Sequence, residues 1–272
     1  MRTVLAIMGS PRRGDSHGLA QRVEEQMALL GSYEFEYLWL RDAHIQFCRG
    51  CYRCFTEGEE HCPLEDDVPR IEAKLLHSDG VIFASPVYAM GMTALLKNLL
   101  DRLAYTMHRP RFFDQKTLIV VTAGAAGIRQ TIAGISAVGS CGFDIIDSFG
   151  FVLPPGRQTQ AEQRRFAHRS GEAAGRLHQA IQRGGYSAPT LQQLAVFRIQ
   201  QQIYGLLREH LPADYEYFAE QGWLDPRRRF YVEAPVSPIK DLVARVAARI
   251  ARRQIQARER AVQRERDLTS EG

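Results

Sequence analysis

Four cysteines, Cys48, Cys51, Cys54 and Cys62, fall within fifteen residues in the spacing C-x2-C-x2-C-x7-C, and Pro63 follows the last of them. Only one further cysteine, Cys141, occurs in the chain. Thiols gathered so closely, in a chain expected to be cytosolic, point to metal or redox chemistry rather than to structural disulfides. The tight triple spacing and the Cys-Pro ending are those of iron–sulfur ligation. Free redox-active thiols and zinc are the alternatives, with His61 beside Cys62 as a substitute zinc ligand. Arg49 and Arg53 lie between the thiols and would favour thiolates or an anionic cluster. Cys141 reads as a small buried apolar residue.

A second constellation sits near the start. Val4 to Met8 is a continuous apolar run, as in a strand covered on both faces. Gly9-Ser10-Pro11-Arg12-Arg13-Gly14-Asp15-Ser16-His17-Gly18 follows at once. Small residues, hydroxyls, guanidinium groups and a helix start, which Ser16 is placed to cap, together make a cradle for a phosphate. Two further loops also follow apolar strands. Ser85-Pro86-Val87-Tyr88 can turn the chain so that backbone groups and a tyrosine ring face a flat heterocycle. Thr122-Ala123-Gly124-Ala125-Ala126-Gly127 leaves room for a ring and offers N–H groups to its edge. His44, His77, His108, His168, His178 and His210 are scattered, and no Ser/His/Asp order or carboxylate pair supports hydrolase chemistry.

The elements that must position these loops alternate. Strands are expected at Val4–Met8, Tyr33–Leu40, Val81–Ala84, Thr117–Val121 and Phe143–Val152. Helices are expected from Ser16 to about Leu30, after Asp66-Asp67, at Ala94–Leu103, at Ile128–Val138 and from about Thr159 to Arg183. Five rounds of strand, loop and helix predict an α/β fold with a doubly wound parallel sheet. Ligands of such sheets sit at the carboxyl ends of the strands, at the switch point of strand order. The three loops can therefore converge on one site.

Beyond Gly184-Gly185 the pattern becomes helical, over Leu191–Leu211 and Tyr215–Gln221. Five aromatics between Tyr215 and Phe230 read as packing for an appendage. A last amphipathic helix at Ile239–Ile250 is expected to fade into a solvated basic tail. The reading divides the chain into residues 1–184, with a Cys-rich insert at 44–65, and a helical extension at 185–272.

The 272 residues carry a net charge of +4. From Pro238 onward there are nine Lys or Arg against five Asp or Glu, so the rest is neutral. That distribution excludes a nucleic-acid footprint spread over the fold. The first apolar run is too short for a signal-peptide core, and none approaches the ~18 residues of a membrane span. A cytoplasmic protein is expected, with a membrane-surface contact of the basic amphipathic tail as a minor alternative.

Together, Gly9-Ser10-Pro11-Arg12-Arg13 with Ser16, the segment Cys48–Asp67, Ser85-Pro86-Val87-Tyr88, and Lys97 with Asp101-Arg102 resemble the flavodoxin-like NADPH-dependent FMN reductase family, and within it the iron–sulfur flavoprotein branch. The resemblance covers about residues 1–183. It implies a flavodoxin-like fold, FMN as cofactor and NAD(P)H as electron donor. It places Ser10, Arg12, Ser16 and His17 around the FMN phosphate, and Pro86, Val87, Tyr88, Met90 and Gly91 along the isoalloxazine. Thr122, Ala123 and Gly124 would close the other side. Position 17 departs from the family pattern, where Thr or Ser is usual, and a histidine there makes the contact pH-sensitive. Cys48, Cys51, Cys54 and Cys62 would hold a [4Fe-4S] cluster, the seven-residue gap before Cys62 being long for the branch.

The implied activity is an FMN-dependent NAD(P)H oxidoreductase acting on a quinone, a flavin or another small acceptor. One alternative is an iron–sulfur electron carrier working with a ferredoxin-like partner. Another is a flavodoxin-fold thiol or zinc sensor. The family implies a homodimer or homotetramer.

Overall fold

The computed structural model describes residues 1–153 and 158–270, with side chains described up to residue 264 apart from position 263. In chain order the elements are β1 (Arg2–Met8), α1 (Asp15–Ala28), β2 (Tyr33–Trp39), α2 (Arg53–Thr56), α3 (Val68–Leu76), β3 (Gly80–Pro86) and α4 (Ala94–Arg102). They continue as β4 (Lys116–Ala123), α5 (Ile128–Ile135), β5 (Asp144–Val152), α6 (Gln160–Arg183), α7 (Leu191–Ile203), α8 (Pro212–Glu220) and α9 (Pro238–Ser270). The chain forms two compact units, one of residues 1–50 and 63–185, the other of residues 51–62 and 186–272.

In the first unit the five strands form one parallel sheet in the order β2-β1-β3-β4-β5. This is the flavodoxin-like doubly wound arrangement, whose switch point lies between β1 and β3. The apolar runs dictate it. Val4, Ala6 and Met8 face a core shared with α1 and α6, including Leu19, Val23 and Leu177, while Leu5 and Ile7 are equally buried on the opposite face. A strand covered twice must be apolar at every position, and this one is. At the sheet edge β2 alternates and is only half-buried.

α6 opens on a capping box, Thr159 accepting from the Glu162 N–H while Glu162 accepts from Thr159. The strands and helices expected in this unit are present, with β3 and β4 each longer than their apolar runs, while the helix expected over Leu191–Leu211 ends at Ile203 as α7 and gives way to turns. Two details of the first unit also differ from the sequence reading. α1 begins at Asp15 with Gly14 in the N-cap position and no side-chain cap, so Ser16 lies inside the first turn rather than capping it. The helix expected at Ile128–Val138 is α-helical only to Ile135 and tightens into 3-10 turns over Ser136–Cys141.

The second unit holds α2, α7, α8 and α9, with α7 packed on α9 and α2 on α8. Its core is aromatic. The Phe197 and Tyr231 rings lie edge-on at 4.7 Å, Trp223 and Tyr231 at 4.8 Å, and Tyr204 and Phe218 at 4.6 Å. Packing therefore accounts for Phe218, Trp223 and Phe230, as expected. Beneath them Asp241 accepts from Arg198 Nε at 2.8 Å and from Arg245 Nε at 3.1 Å, and Arg198 also donates to the Arg228 carbonyl at 2.6 Å. α9 does not fade after Ile250 but continues as one 33-residue helix. No helix among the described residues is long and apolar enough to cross a membrane.

Candidate flavin and thiol sites

The three strand-end loops are bonded to one another at the carboxyl ends of β1, β3 and β4. The Gly9 N–H donates to the Ala84 carbonyl at 2.8 Å. Thr93 donates its hydroxyl to the Gly9 carbonyl at 2.7 Å, caps α4 through the Leu96 N–H, and gives its own N–H to Ser85 Oγ at 3.3 Å. The Val87 N–H donates to the Thr122 carbonyl at 2.7 Å. Ser16 Oγ and Thr122 Oγ1 share a buried hydrogen bond of 2.6 Å. Every pair of loops is thus joined directly. Gly9 is required here, because a Cβ would lie 3.1 Å from Thr93 Oγ1 and 3.2 Å from the Ala84 carbonyl.

In the first loop Ser10 is buried, donates to the Arg12 carbonyl at 2.7 Å and receives the Arg12 N–H at 3.2 Å. This small turn leaves the Arg12 and Arg13 side chains exposed beside the start of α1. With no side-chain cap, the first-turn N–H groups of α1 keep their donors directed outward. Arg41 anchors the loop from the end of β2, donating to the Pro11 carbonyl at 2.8 Å.

Trp39, at the last position of β2, takes the Arg13 guanidinium at 5.7 Å and that of Arg41 at 5.2 Å from its ring centroid. His17 packs against the same ring at 5.0 Å and against Tyr37 at 5.3 Å. Burial, and then the Arg13 charge, lower the His17 pKa, with Glu24 opposing. The imidazole is therefore neutral at neutral pH, and its titration falls on the acid side of 6.5.

The second loop forms a tight reversal. Tyr88 and Gly91 exchange N–H to carbonyl bonds at 2.9 and 3.0 Å, and the two residues between them, Ala89 and Met90, take φ of +47° and +65°. Such turns are normally filled by Asn and Gly, and two alkyl side chains held there store backbone strain at the mouth of the site. The result presents Tyr88 and Met90 about half exposed to solvent.

Gly127 closes the third loop at φ +95°, where a Cβ would come 2.6 Å from Val87 Cγ1 and 3.2 Å from Met90 Cα. Nothing lies within 4 Å of a Cβ placed on Gly124. Among the residues singled out, Ser10, Ser16, Pro86, Val87, Tyr88, Met90, Gly91, Thr122, Ala123 and Gly124 therefore occupy one convergent set of loops, with Arg12 at its rim. His17 instead faces the aromatic end of β2.

Sequence reading missed Thr93, Trp39 and Arg41. Thr93 had a usable signal, a threonine directly before a helical apolar run. Trp39 and Arg41 had none, since their role depends on β2 lying beside β1.

The donor set fits a flavin mononucleotide. Uncapped helix N–H groups, a buried serine and two exposed arginines suit a phosphate dianion. Beside them, an open small-residue loop and a half-exposed tyrosine suit the face and edge of a planar ring.

The thiol segment is anchored at its start in the first unit. Asp66 is fully enclosed and accepts from the Gln46 N–H at 2.9 Å, the Val68 N–H at 3.1 Å, and Arg102, whose guanidinium also donates to the Gln46 carbonyl at 3.1 Å. Asn98 adds a bond to the Ile45 carbonyl at 3.0 Å, and Asp67 accepts from the His44 N–H at 2.8 Å. Lys97 pairs instead with Asp101 on the exposed side of α4.

Cys48 belongs to the first unit and receives the Gly50 N–H at 3.5 Å. Cys51, Cys54 and Cys62 belong to the second. There the Arg53 guanidinium is held above its ordinary pKa, chiefly by Glu57, with smaller contributions from the Cys51 and Cys62 thiols. Cys48 and Cys51 are exposed, Cys54 and Cys62 partly so. The thiols have the right chemistry for a cluster, but among the described residues no three His, Cys, Asp or Glu side chains are gathered as metal ligands. Cys141 is buried, and burial pushes its thiol up to about 11.

An iron–sulfur flavoprotein of Archaeoglobus fulgidus is 25% identical over 227 residues, covering 81% of this chain and 99% of its own. An iron–sulfur flavoprotein of Methanocaldococcus jannaschii is 41% identical over 100 residues, covering 36% of this chain and half of its own. Among solved structures, a flavone reductase shares the fold with a TM-score of 0.52 at 19% identity, over 68% of this chain and 65% of its own. Residues 2–153, which carry all three converging loops, match the NADPH-dependent FMN reductase family, and the chain belongs to that family.

Proposed function

We propose that this FMN-dependent NAD(P)H oxidoreductase delivers electrons to a small acceptor of the quinone or flavin kind. The observation that carries the reading is the direct bonding of the three strand-end loops, which puts phosphate donors and an open ring platform in one place. Ser10, Arg12, Ser16 and the first-turn N–H groups of α1 hold the phosphate. Pro86, Val87, Tyr88, Met90 and Gly91 line one side of the ring, and Thr122, Ala123 and Gly124 the other. FMN held there would supply the hydride and electron chemistry, so that the protein's own residues supply position and electrostatics rather than a side-chain acid or base. Neutral His17 acts through Trp39 and Tyr37, keeping the wall beside the Arg13 guanidinium in place. The working form is a cytoplasmic homodimer or homotetramer.

A second reading is favoured by the four-cysteine spacing and by the names of the two relatives. In it the thiols carry an iron–sulfur cluster, and the acceptor is a ferredoxin-like protein. Anaerobic purification with flavin, iron, sulfide and zinc quantified separates the two. Flavin that NADPH or NADH bleaches, without iron, supports the first reading. Iron and sulfide at about four per chain, with poor reduction by nicotinamides, support the second. Zinc without flavin would sink both and leave a sensor. Cys51→Ala is expected to leave FMN bound under either reading, because no flavin-site loop contains a cysteine.

A further inference from the structure

α9 has two faces with opposite fates. Asp241, Ala244 and Ala248 are buried, and α7 is the neighbour they pack toward within the second unit. Ile239, Leu242, Val243, Val246 and Ile250 lie on the other side and remain 48–76% exposed. At about 100° per residue these five fill a stripe about 100° wide, centred roughly 170° from the packed face. The stripe runs about 17 Å along the helix. Aliphatic side chains at that spacing are the pattern of a buried face, yet here they stand exposed among the described residues.

Charge identifies what does. Between Ile239 and Arg258 the exposed charged residues are Lys240, Arg249, Arg252, Arg253 and Arg258. The sole acid in that span, Asp241, is buried and paired with Arg198 and Arg245. Arg249 borders the stripe on one side and Lys240 on the other, and Arg253 continues its line. A second copy of α9 is a poor occupant. In a parallel pair Arg253, which lies in line with the stripe, would face itself, and Arg249 would flank it with like charge.

We propose that this face of α9 lies on an anionic lipid bilayer, its aliphatic stripe among the acyl chains and its arginines at the headgroups. An apolar stripe edged by cations is the design of an interfacial helix, and each cation near an anionic surface adds to the attraction. The helix does not span the bilayer. Its site is distinct from the flavin loops, so the proposal stands whatever the acceptor is.

The test is co-sedimentation of the full-length, FMN-loaded protein with large vesicles of phosphatidylcholine alone or containing phosphatidylglycerol. Binding is expected only to the anionic vesicles, and rising salt is expected to weaken it. Arg249→Glu with Arg253→Glu should lower the partition coefficient by about 30-fold or more. Leu242→Asp with Val246→Asp should lower it by at least about tenfold. Both pairs are exposed, so flavin content and circular dichroism should match the parent. Equal binding to neutral vesicles, absence of binding at low salt, or variants that bind like the parent would each overturn the proposal. So would Leu242→Asp with Val246→Asp splitting an oligomer in sedimentation velocity, which would make the stripe a contact between copies.

Discussion

Asp66 and Arg102 are enclosed charges whose value lies in what they hold. Truncating Arg102 takes the ion pair away from the enclosed Asp66 carboxylate and is expected to cost about 3–5 kcal/mol, read as a lower urea midpoint for Arg102→Ala. Burial alone would push the Asp66 carboxyl up, but hydrogen bonds from Arg102, Gln46 and Val68 outweigh it and hold its pKa below the ordinary value. A depressed carboxylate pKa stabilises the fold above the unfolded value of about 4. That contribution should drain away as pH falls from there through the folded pKa, and Asp66→Asn should flatten that part of the stability profile. Ala89 illustrates the reverse, a cost accepted locally. Its φ of +47° suits glycine, so Ala89→Gly is expected to be neutral or to stabilise by up to about 1 kcal/mol. If the strain shapes the ring platform, the same change should weaken FMN binding, as measured by fluorescence titration. These residue-level features were only partly legible. Ser10, Ser16 and Thr122 could be read from loop composition, but the Ser16 to Thr122 bond could not, since the two residues meet only once β1 and β4 flank β3. Arg102 stood out as part of a motif, while its enclosure with Asp66 depends on the path of residues 44–46.

At the scale of elements, the loop after β4 is set by Gly127, whose missing side chain lets Val87 and Met90 approach. Gly127→Ala places a Cβ at a positive φ and 2.6 Å from Val87 Cγ1. It should displace the β3 loop and lower FMN affinity by about tenfold or more, since small misplacements of a preorganised site are costly. Isothermal titration with the apoprotein reads this directly, and unchanged affinity would show that the loop tolerates the shift. The strands were legible because a twice-covered strand writes its burial as an unbroken apolar run, as Val4–Met8 does. α1 was placed correctly but its start was not, because Gly14 offers no side chain to mark a cap. α9 was legible as an amphipathic helix only to Ile250. Its continuation to Ser270 relies on Arg, Gln, Glu and Ala, strong helix formers that leave no periodic apolar signal.

At the scale of the whole molecule, the chain builds two compact units with different cores, one aliphatic around a sheet and one aromatic around helices. In the second, Asp241 joins α9 to α7 through Arg198 and braces Arg245. Asp241→Ala would leave Arg198 enclosed without its counter-charge. Amide hydrogen exchange in α7 and α9 is expected to accelerate, while FMN content stays at the parent level. Loss of FMN in that variant would show that the two units fold as one. The division assigns Cys48 to the first unit and Cys51, Cys54 and Cys62 to the second, an assignment that spacing along the chain did not reveal. The claim on which the rest depends is that the bonded loops of the first unit hold a flavin reducible by a nicotinamide. Anaerobic titration of the full-length protein with NADPH and with NADH, following the visible flavin absorbance, tests it most directly. Flavin retained through gel filtration, bleached by one of the two donors and restored on adding a quinone, is the predicted result. A chain that retains no FMN, or one whose bound FMN neither nicotinamide reduces, would contradict it.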